Sequence, residues 1–352
     1  MGKRLVSGAG SYCARWSWIA WSMAIGIIAT TAIAGPARSQ TADWDTIVAN
    51  AKKEGSVVVY SAAPGAPPIT EINNLFQQRY GIHVEALEGR ASEIRERVRV
   101  EQSAGRAVGD VHYNGSATTE LMSAEGAFQP YGDLPNAKNI QPPYVADGTR
   151  VTSNALSYGI LVNSNLVKPG DEPKSWHDLL DPKWRNKILA DDMRALGGGW
   201  VLFFATTDKL GVDFHREFAK QNPAFIRDIR NAEKRVARGE YPILIPEVLP
   251  YYVAIKGLPV KFITPEEGCP YVGFDLTLLK NAPHPNAARL LMNFYLSDEA
   301  QEIFARGGYT TVNGKTAPEA AGATAPCTKL MGTSSAARQE EMLRLAREIY
   351  QQ

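Results

Sequence analysis

Two adjacent tyrosines, Tyr251 and Tyr252, stand just after Pro250 in the stretch IPEVLPYYVAIKG. A deprotonated phenol is a hard anionic oxygen ligand, and a neighbouring pair can hold a hard ion such as ferric iron. The phenol pKa, ordinarily about 10, must then fall. Paired tyrosines are equally ordinary packing residues, so the pair has two readings at this point.

A different chemistry is offered at four places where small, polar or basic residues separate a strand-like run from a helix-like run. These are Ser61-Ala62-Ala63; EGRASE, with Arg90 and Ser92; YNGSATT, with Asn114, Gly115 and Ser116; and RALGGGW, with Arg194 and the triple glycine Gly197, Gly198 and Gly199 ahead of Trp200. Helix N-termini present free N–H groups and a partial positive charge. A triple glycine exposes backbone amides that can form an anion-binding nest. Arg90 and Arg194 suit bidentate capture of a carboxylate or phosphate. Trp200 and Tyr158 offer faces for stacking on a ring or sugar, or for core packing. Each feature alone is commonplace. Their weight lies in joint placement, because ligands of open α/β sheets sit outside the carboxyl ends of the strands.

The elements that would position them follow from periodicity. DWDTIVANAKKEG reads as a helix ending at Gly55, and SVVVYSA as a buried strand. ITEINNLFQQRYG carries Ile69, Ile72, Leu75, Phe76 and Tyr80 at helical spacing, with Gly81 as the stop. IHVEAL is a strand, a helix opens at Ser92, and DVHYNG is a third strand. This alternation predicts an α/β fold with a largely parallel sheet. A second α/β section begins near ALSYGILVNSNLV and includes the apolar helix GGGWVLFFATT and the strand GEYPILIP. HPNAARLLMNFYLSDEAQEIFARGGY reads as two helices broken at Ser297, a good N-cap followed by acids. A linker over residues 316–328 and an amphipathic helix over residues 336–350 close the chain.

Lys3, Arg4 and Arg15 precede an apolar run, WSWIAWSMAIGIIATTAIA, and small residues follow at cleavage spacing. That is the layout of a secretory signal peptide over residues 1–39, with an uncleaved anchor as the alternative. Cys13 precedes the run, whereas a lipid-attachment cysteine would follow it. Removing Lys3, Arg4, Arg15 and Arg38 leaves 34 basic against 37 acidic side chains, a net charge of −3. Nothing in that balance points to nucleic acid or an anionic membrane. The remaining cysteines, Cys269 and Cys327, form the simplest possible disulfide of an exported chain.

Five stretches resemble one family: DVHYNGSATTELMSAEGAFQPY, SYGILVNSNLV, PKSWHDLLDPKWRNKI, GEYPILI and KNAPHPNAARLLMNFYLSDEAQEIFARGGY. In this order and spacing they resemble the solute-binding proteins of ABC importers, in the branch often labelled ferric-iron-binding. The resemblance spans residues 44–311. It implies a two-lobe periplasmic-binding-protein fold of type 2, with the ligand between lobes joined by two hinge crossings, here near residues 151–156 and 269–275. Lobe one is then residues 40–151 and 271–312, lobe two residues 152–270, and residues 313–352 are linker and C-terminal helix.

Iron-binding members use neighbouring tyrosines in the loop after the strand matching YPILI, commonly with a histidine or carboxylate from lobe one. Here PEVLP intervenes, and Pro250 can start a helix that holds both tyrosines. Without a gap, Glu247 and Val248 fall where the pair belongs. SAAPGAPP offers no histidine or carboxylate, and His83, His112, His177, His215 and His284 are scattered. The favoured expectation is therefore a small organic anion or zwitterion, with Glu247 facing the cleft to accept from an amine or hydroxyl. A ferric site on Tyr251 and Tyr252 is the alternative. Expected partners are a small-molecule solute and an inner-membrane ABC permease, with no nucleic acid, for a periplasmic monomer that closes by hinge motion. No cofactor is expected. HExxH, GxSxG, P-loop and paired CxxC motifs are absent, so catalysis is not expected. A sensory binding protein is the remaining class.

Overall fold

The computed structural model describes residues 44–316 and 327–351. The expected signal peptide and most of the expected linker lie outside the described residues. Twelve strands are described: β1 (Ser56–Ser61), β2 (His83–Glu88), β3 (Val111–Gly115), β4 (Phe128–Gln129), β5 (Arg150–Asn163), β6 (Ile188–Asp191), β7 (Ala224–Ile226), β8 (Ile243–Val248), β9 (Val260–Ile263), β10 (Cys269–Leu279), β11 (Thr310–Thr311) and β12 (Leu330–Gly332). The helices among them are α1 (Trp44–Glu54), α2 (Pro67–Tyr80), α3 (Ala91–Ser103), α4 (Ser116–Ala124), α5 (Gly198–Leu210), α6 (Val212–Ala219), α7 (Ile229–Ala237), α8 (Leu249–Ile255), α9 (Pro285–Tyr295), α10 (Asp298–Arg306) and α11 (Gln339–Ile349).

The strands run in the order β2-β1-β3-β10-β5-β8-β6-β7. β1 pairs in parallel with β2 and β3, and β6 pairs in parallel with β7 and β8. The two parallel groups are joined by antiparallel β10 and β5. β5 is the pivotal element. Its first part, residues 150–157, pairs with β10, and from Tyr158 onward it pairs with β8 and β9. One strand thus belongs to both halves and changes partners between Ser157 and Tyr158.

Each half has its own core. In the first, Phe76, Phe294, Tyr295 and Tyr113 pack between α2, α9 and the sheet. In the second, Trp176, Phe203, Phe218 and Ile245 surround the apolar α5. That apolarity explains α5: it is covered on nearly every side, as a helix without a polar face must be. One of its covers is α11, whose Met342 and Ala346, together with Tyr350, are fully buried in the same core. Large side chains buried in this way contribute about 1.5–3 kcal/mol each. The Tyr350 hydroxyl lies 2.7 Å from His215 Nδ1, and His215 Nε2 lies 2.8 Å from the Thr206 hydroxyl. The C-terminal helix is therefore part of the second half, beginning after a short 3-10 turn at Ala336–Arg338.

The expected break between two helices is present at Ser297, whose hydroxyl accepts from Ala300 N at 3.2 Å. The Cys269–Cys327 disulfide is formed and ties the start of β10 to the segment leading into β12.

Candidate functional site

On the first half, three of the expected corners lie side by side. β2, β1 and β3 are neighbours, and Ser61 is in register with both Glu88 and Tyr113. Ser61, Gly89-Arg90 and Asn114-Ser116 therefore line one carboxyl edge, where α2, α3 and α4 begin. Ser61 is buried and its hydroxyl accepts from Ala63 N at 3.2 Å. Ala62 N donates to Tyr113 O at 2.8 Å, so its amide is used within the sheet. Arg90 is exposed and is the N-cap of α3, with Glu93 accepting from its backbone N at 2.9 Å. The helix starts one residue earlier than Ser92.

The third corner is stitched to the crossing strands. The Ser116 hydroxyl donates to Gly273 O of β10 at 3.0 Å. Asn114 faces Asp275 across the β3–β10 ladder. Asp275 Oδ1 accepts from the Thr152 hydroxyl of β5 at 2.8 Å, while burial pushes its pKa up to about 6. Asn114 Nδ2 and Asn154 Nδ2 are buried without hydrogen-bond partners, and Asp275 Oδ2 meets only the Arg150 guanidinium, at 3.7 Å. Polar groups left unmatched at a crossing are destabilising in one fixed geometry.

On the second half, the triple glycine behaves differently from expectation. The α5 N-terminus already holds an anion: Asp191, the last residue of β6, accepts from Gly199 N at 2.7 Å. A Cβ on Gly199 would collide with the Asp191 carbonyl, so this glycine permits close approach of strand and helix. Burial raises the Asp191 pKa to about 6, opposed by the Gly199 hydrogen bond. Arg194 is likewise engaged. Its Nε donates to Asp192 Oδ1 at 2.8 Å, its Nη1 to Tyr350 O at 3.2 Å, and the guanidinium lies 4.6 Å from the Phe225 ring centre. Arg194 is an anchor for the chain's C-terminal end. Trp200 is buried against Phe204 with its Nε1 unpartnered, which puts its ring in the core. Tyr158 is buried beside Gly198 and Asp191.

The tyrosine pair sits on α8, which starts at Leu249 with Pro250 in its first turn, as the sequence led us to expect. Successive helical residues point about 100° apart. Tyr252 is 2 % exposed and packs on Phe262 with ring centres 5.7 Å apart. Tyr251 turns the other way, half-buried, with the Arg230 guanidinium 3.6 Å above its ring centre. Burial raises both phenol pKa values, against the direction that metal ligation requires.

Glu247 was expected to face the cleft. Instead it is 0 % exposed, with neither carboxylate oxygen hydrogen-bonded to another side chain. Burial pushes its pKa well up, and Glu233 adds to the effect while Arg230 opposes it. Arg230 reaches Glu233 Oε2 at 3.4 Å.

Sequence reasoning passed over this corner, between β7 and α7. Its stretch FIRDIRN places Arg227 just past the strand, Asp228 as N-cap and Arg230 in the first turn. Arg227 is exposed, and its charge lowers the pKa of Asp191. The available signal was a basic pair flanking an N-cap aspartate after a short apolar run. Tyr309 was also missed. It follows α10 in the first half, and its phenol pKa, raised to about 12 mainly by burial, also feels Tyr251 and Arg230. A Cβ on its neighbour Gly308 would press on Pro250 and Val253 of α8. The two halves therefore touch at α8. A depression of about 650 Å³ runs along α2 from its N-terminal end and is lined by Gly65, Pro67, Thr70, Glu71, Asn74 and Gln78.

Comparison with known proteins places this geometry. The bacterial extracellular solute-binding protein family matches residues 57–310. An uncharacterised protein of Haemophilus influenzae is 25% identical over 269 residues, 72% of this chain and 76% of that protein. Iron-bound HitA from Pseudomonas aeruginosa superposes with a TM-score of 0.68 at 20% identity, covering 84% of this chain and 99% of that one. AfuA from Actinobacillus pleuropneumoniae, with fructose-6-phosphate bound, gives 0.66 at 20% identity over 84% and 99%. IdiA (FutA) of Trichodesmium, in complex with iron and citrate, gives 0.69 at 18% identity over 84% and 99%. At such identities these structures share the fold, that of two-lobe type 2 periplasmic binding proteins. The chain belongs to the bacterial extracellular solute-binding protein family.

Proposed function

We propose that this solute-binding protein captures a small organic anion or zwitterion, bearing a carboxylate, phosphate or phosphonate, between its two lobes in the periplasm. Hinge closure about β5 and β10 then presents the closed form to the permease. The carrying observation is the divergence of Tyr251 and Tyr252 together with the Arg230 guanidinium over Tyr251. A fixed positive charge at that corner repels a ferric ion and attracts an anion. Arg227 and Arg230 supply the cationic side of the site. The edge formed by Ser61, Arg90, Asn114 and Ser116 supplies helix N-termini, of which α2 and α4 carry no side-chain cap. The ligands named for structures of this fold include iron, iron with citrate, and fructose-6-phosphate, so the fold itself accommodates phosphate-bearing solutes.

Calorimetry on the purified protein with carboxylates, phosphonates and sugar phosphates tests this reading. Replacing Arg230 with alanine should weaken the bound anion about 10- to 100-fold, the worth of one charge-assisted hydrogen bond. Unchanged affinity in Arg230→Ala would remove this corner from the site.

A further inference from the structure

We propose that Arg194 and Tyr350 are positioning residues for Arg227, so that the end of the C-terminal segment sets how tightly the anion is held. The proposal rests on the anion reading above and identifies what fixes one of its cations in place. β7 has three residues, each half-buried, and is the last strand in the sheet order. Its ladder partner is β6 alone. A short edge strand with few buried contacts opens easily by itself. Yet exposed Arg227 follows directly on its last residue, Ile226.

Three contacts grip this strand end from outside the ladder. Asp192 N donates to Ile226 O at 3.0 Å, which fixes the backbone just before Arg227. The Arg194 guanidinium lies 4.6 Å from the Phe225 ring centre, and the Tyr350 ring meets Phe225 edge-on with ring centres 5.3 Å apart. The gripping residues are joined to one another. Arg194 Nε donates to Asp192 Oδ1 at 2.8 Å, and Arg194 Nη1 donates to Tyr350 O at 3.2 Å. Arg347, on the last turn of α11, donates from Nε to Arg194 O at 3.3 Å. Asp192, Arg194, Phe225 and Tyr350 thus form a closed circuit of contacts. Tyr350 anchors the circuit in the core, being 1 % exposed with its hydroxyl 2.7 Å from His215 Nδ1. Arg194 is engaged by a carboxylate, a carbonyl and a ring of this chain, so it acts on the solute by holding Arg227 rather than by touching the anion. A loose strand end would spread Arg227 over many positions, and ordering it on binding would lower the affinity.

The test is hydrogen–deuterium exchange and calorimetry on the full-length purified protein, with wild type set against Arg194→Ala and Tyr350→Leu. Circular dichroism confirms that the variants are folded. Without any ligand, the amides of residues 224–231 should exchange about tenfold faster in both variants, while those of lobe one keep their wild-type rates. Arg194→Lys, which restores a cation and a donor, should recover slow exchange. Calorimetry with citrate, ethylphosphonate and fructose-6-phosphate should show the tightest of these acids weakened about 3- to 10-fold in Arg194→Ala. In an Arg227→Ala background the same substitution should have no further effect, because the charge it positions is gone. Wild-type exchange at residues 224–231 in both variants, or equal acceleration across all of lobe two, would overturn the positioning role. So would additive effects of Arg194→Ala and Arg227→Ala, which would mean that Arg194 meets the anion directly. If none of the three acids binds, the anion reading fails, and exchange in the ligand-free protein still decides whether Arg194 and Tyr350 hold the corner.

Discussion

A rotation of about 100° per residue separates the fates of Tyr251 and Tyr252. Tyr252 belongs to a core with Phe262 and Leu244, whereas Tyr251 lies under Arg230 where the lobes meet. Substitutions should split accordingly. Tyr252→Ala should cost about 3–5 kcal/mol of stability, the usual penalty for emptying a buried aromatic site. Tyr251→Phe should leave thermal stability within about 0.5 kcal/mol and alter ligand affinity alone. Chemical denaturation with parallel calorimetry checks both. Equal effects of the two substitutions on stability would mean that Tyr251 is also a packing residue. The sequence held part of this contrast: Pro250 marked the helix, and a helix cannot aim consecutive side chains the same way. It held nothing of Arg230, because that contact joins residues on separate elements and depends on where α7 crosses β8.

At the scale of elements, the junction of β6 with α5 shows how a motif that reads as an anion nest can be occupied from within. The glycines were legible, and so was the helix behind them. The occupant was not, since Asp191 lies eight residues before Gly199 and looks like the end of an ordinary strand. Gly199→Ala should destabilise the fold by about 1–3 kcal/mol through overpacking against the Asp191 backbone. Asp191 also makes a pH-dependent contribution of definite sign. Its pKa is about 6 in the folded chain against 3.8 as its ordinary value, so the folded state holds the extra proton between those limits. Stability from this group therefore rises as pH falls through about 6 and levels off below about 4, by about 3 kcal/mol at most. Asp275, also at about 6, acts in the same direction. Asp191→Asn keeps an acceptor for Gly199 N and abolishes the titration. The wild type should thus gain on Asp191→Asn as the pH is lowered from 7.5 to 4.5 in urea melts. A difference independent of pH would show that Asp191 titrates normally.

For the whole molecule, strand–helix alternation and the break at Ser297 were legible as local signals, whereas the two-lobe plan came from the resemblance to ABC solute-binding proteins. The docking of α11 was not legible, since its Met342 and Ala346 complete a core assembled around α5, far away in sequence. The Cys269–Cys327 bond closes a loop of 58 residues that holds the path to this helix in place. In the chain-entropy model its loss costs about 4 kcal/mol. The Cys269→Ser/Cys327→Ser double variant should melt several degrees lower, and an unchanged melting temperature would place the α11 anchorage in packing alone. Closure itself belongs to this scale as well. β5 serves both sheets, and Gly308 and Tyr309 of one lobe meet α8 of the other, so bound solute should compact the molecule in small-angle scattering.

Which kind of solute the cleft selects is measured most directly by a thermal-shift screen of the purified protein. Ferric citrate would be compared with citrate, amino acids, carboxylates, phosphonates and sugar phosphates. A ligand at 100 times its dissociation constant adds about 2.7 kcal/mol, a shift of a few degrees in a chain of this size. One organic class should raise the melting temperature, and ferric ion should add nothing beyond its citrate. A shift specific to ferric ion, accompanied by a visible phenolate-to-iron absorption band that disappears in Tyr251→Phe, would contradict the anion reading.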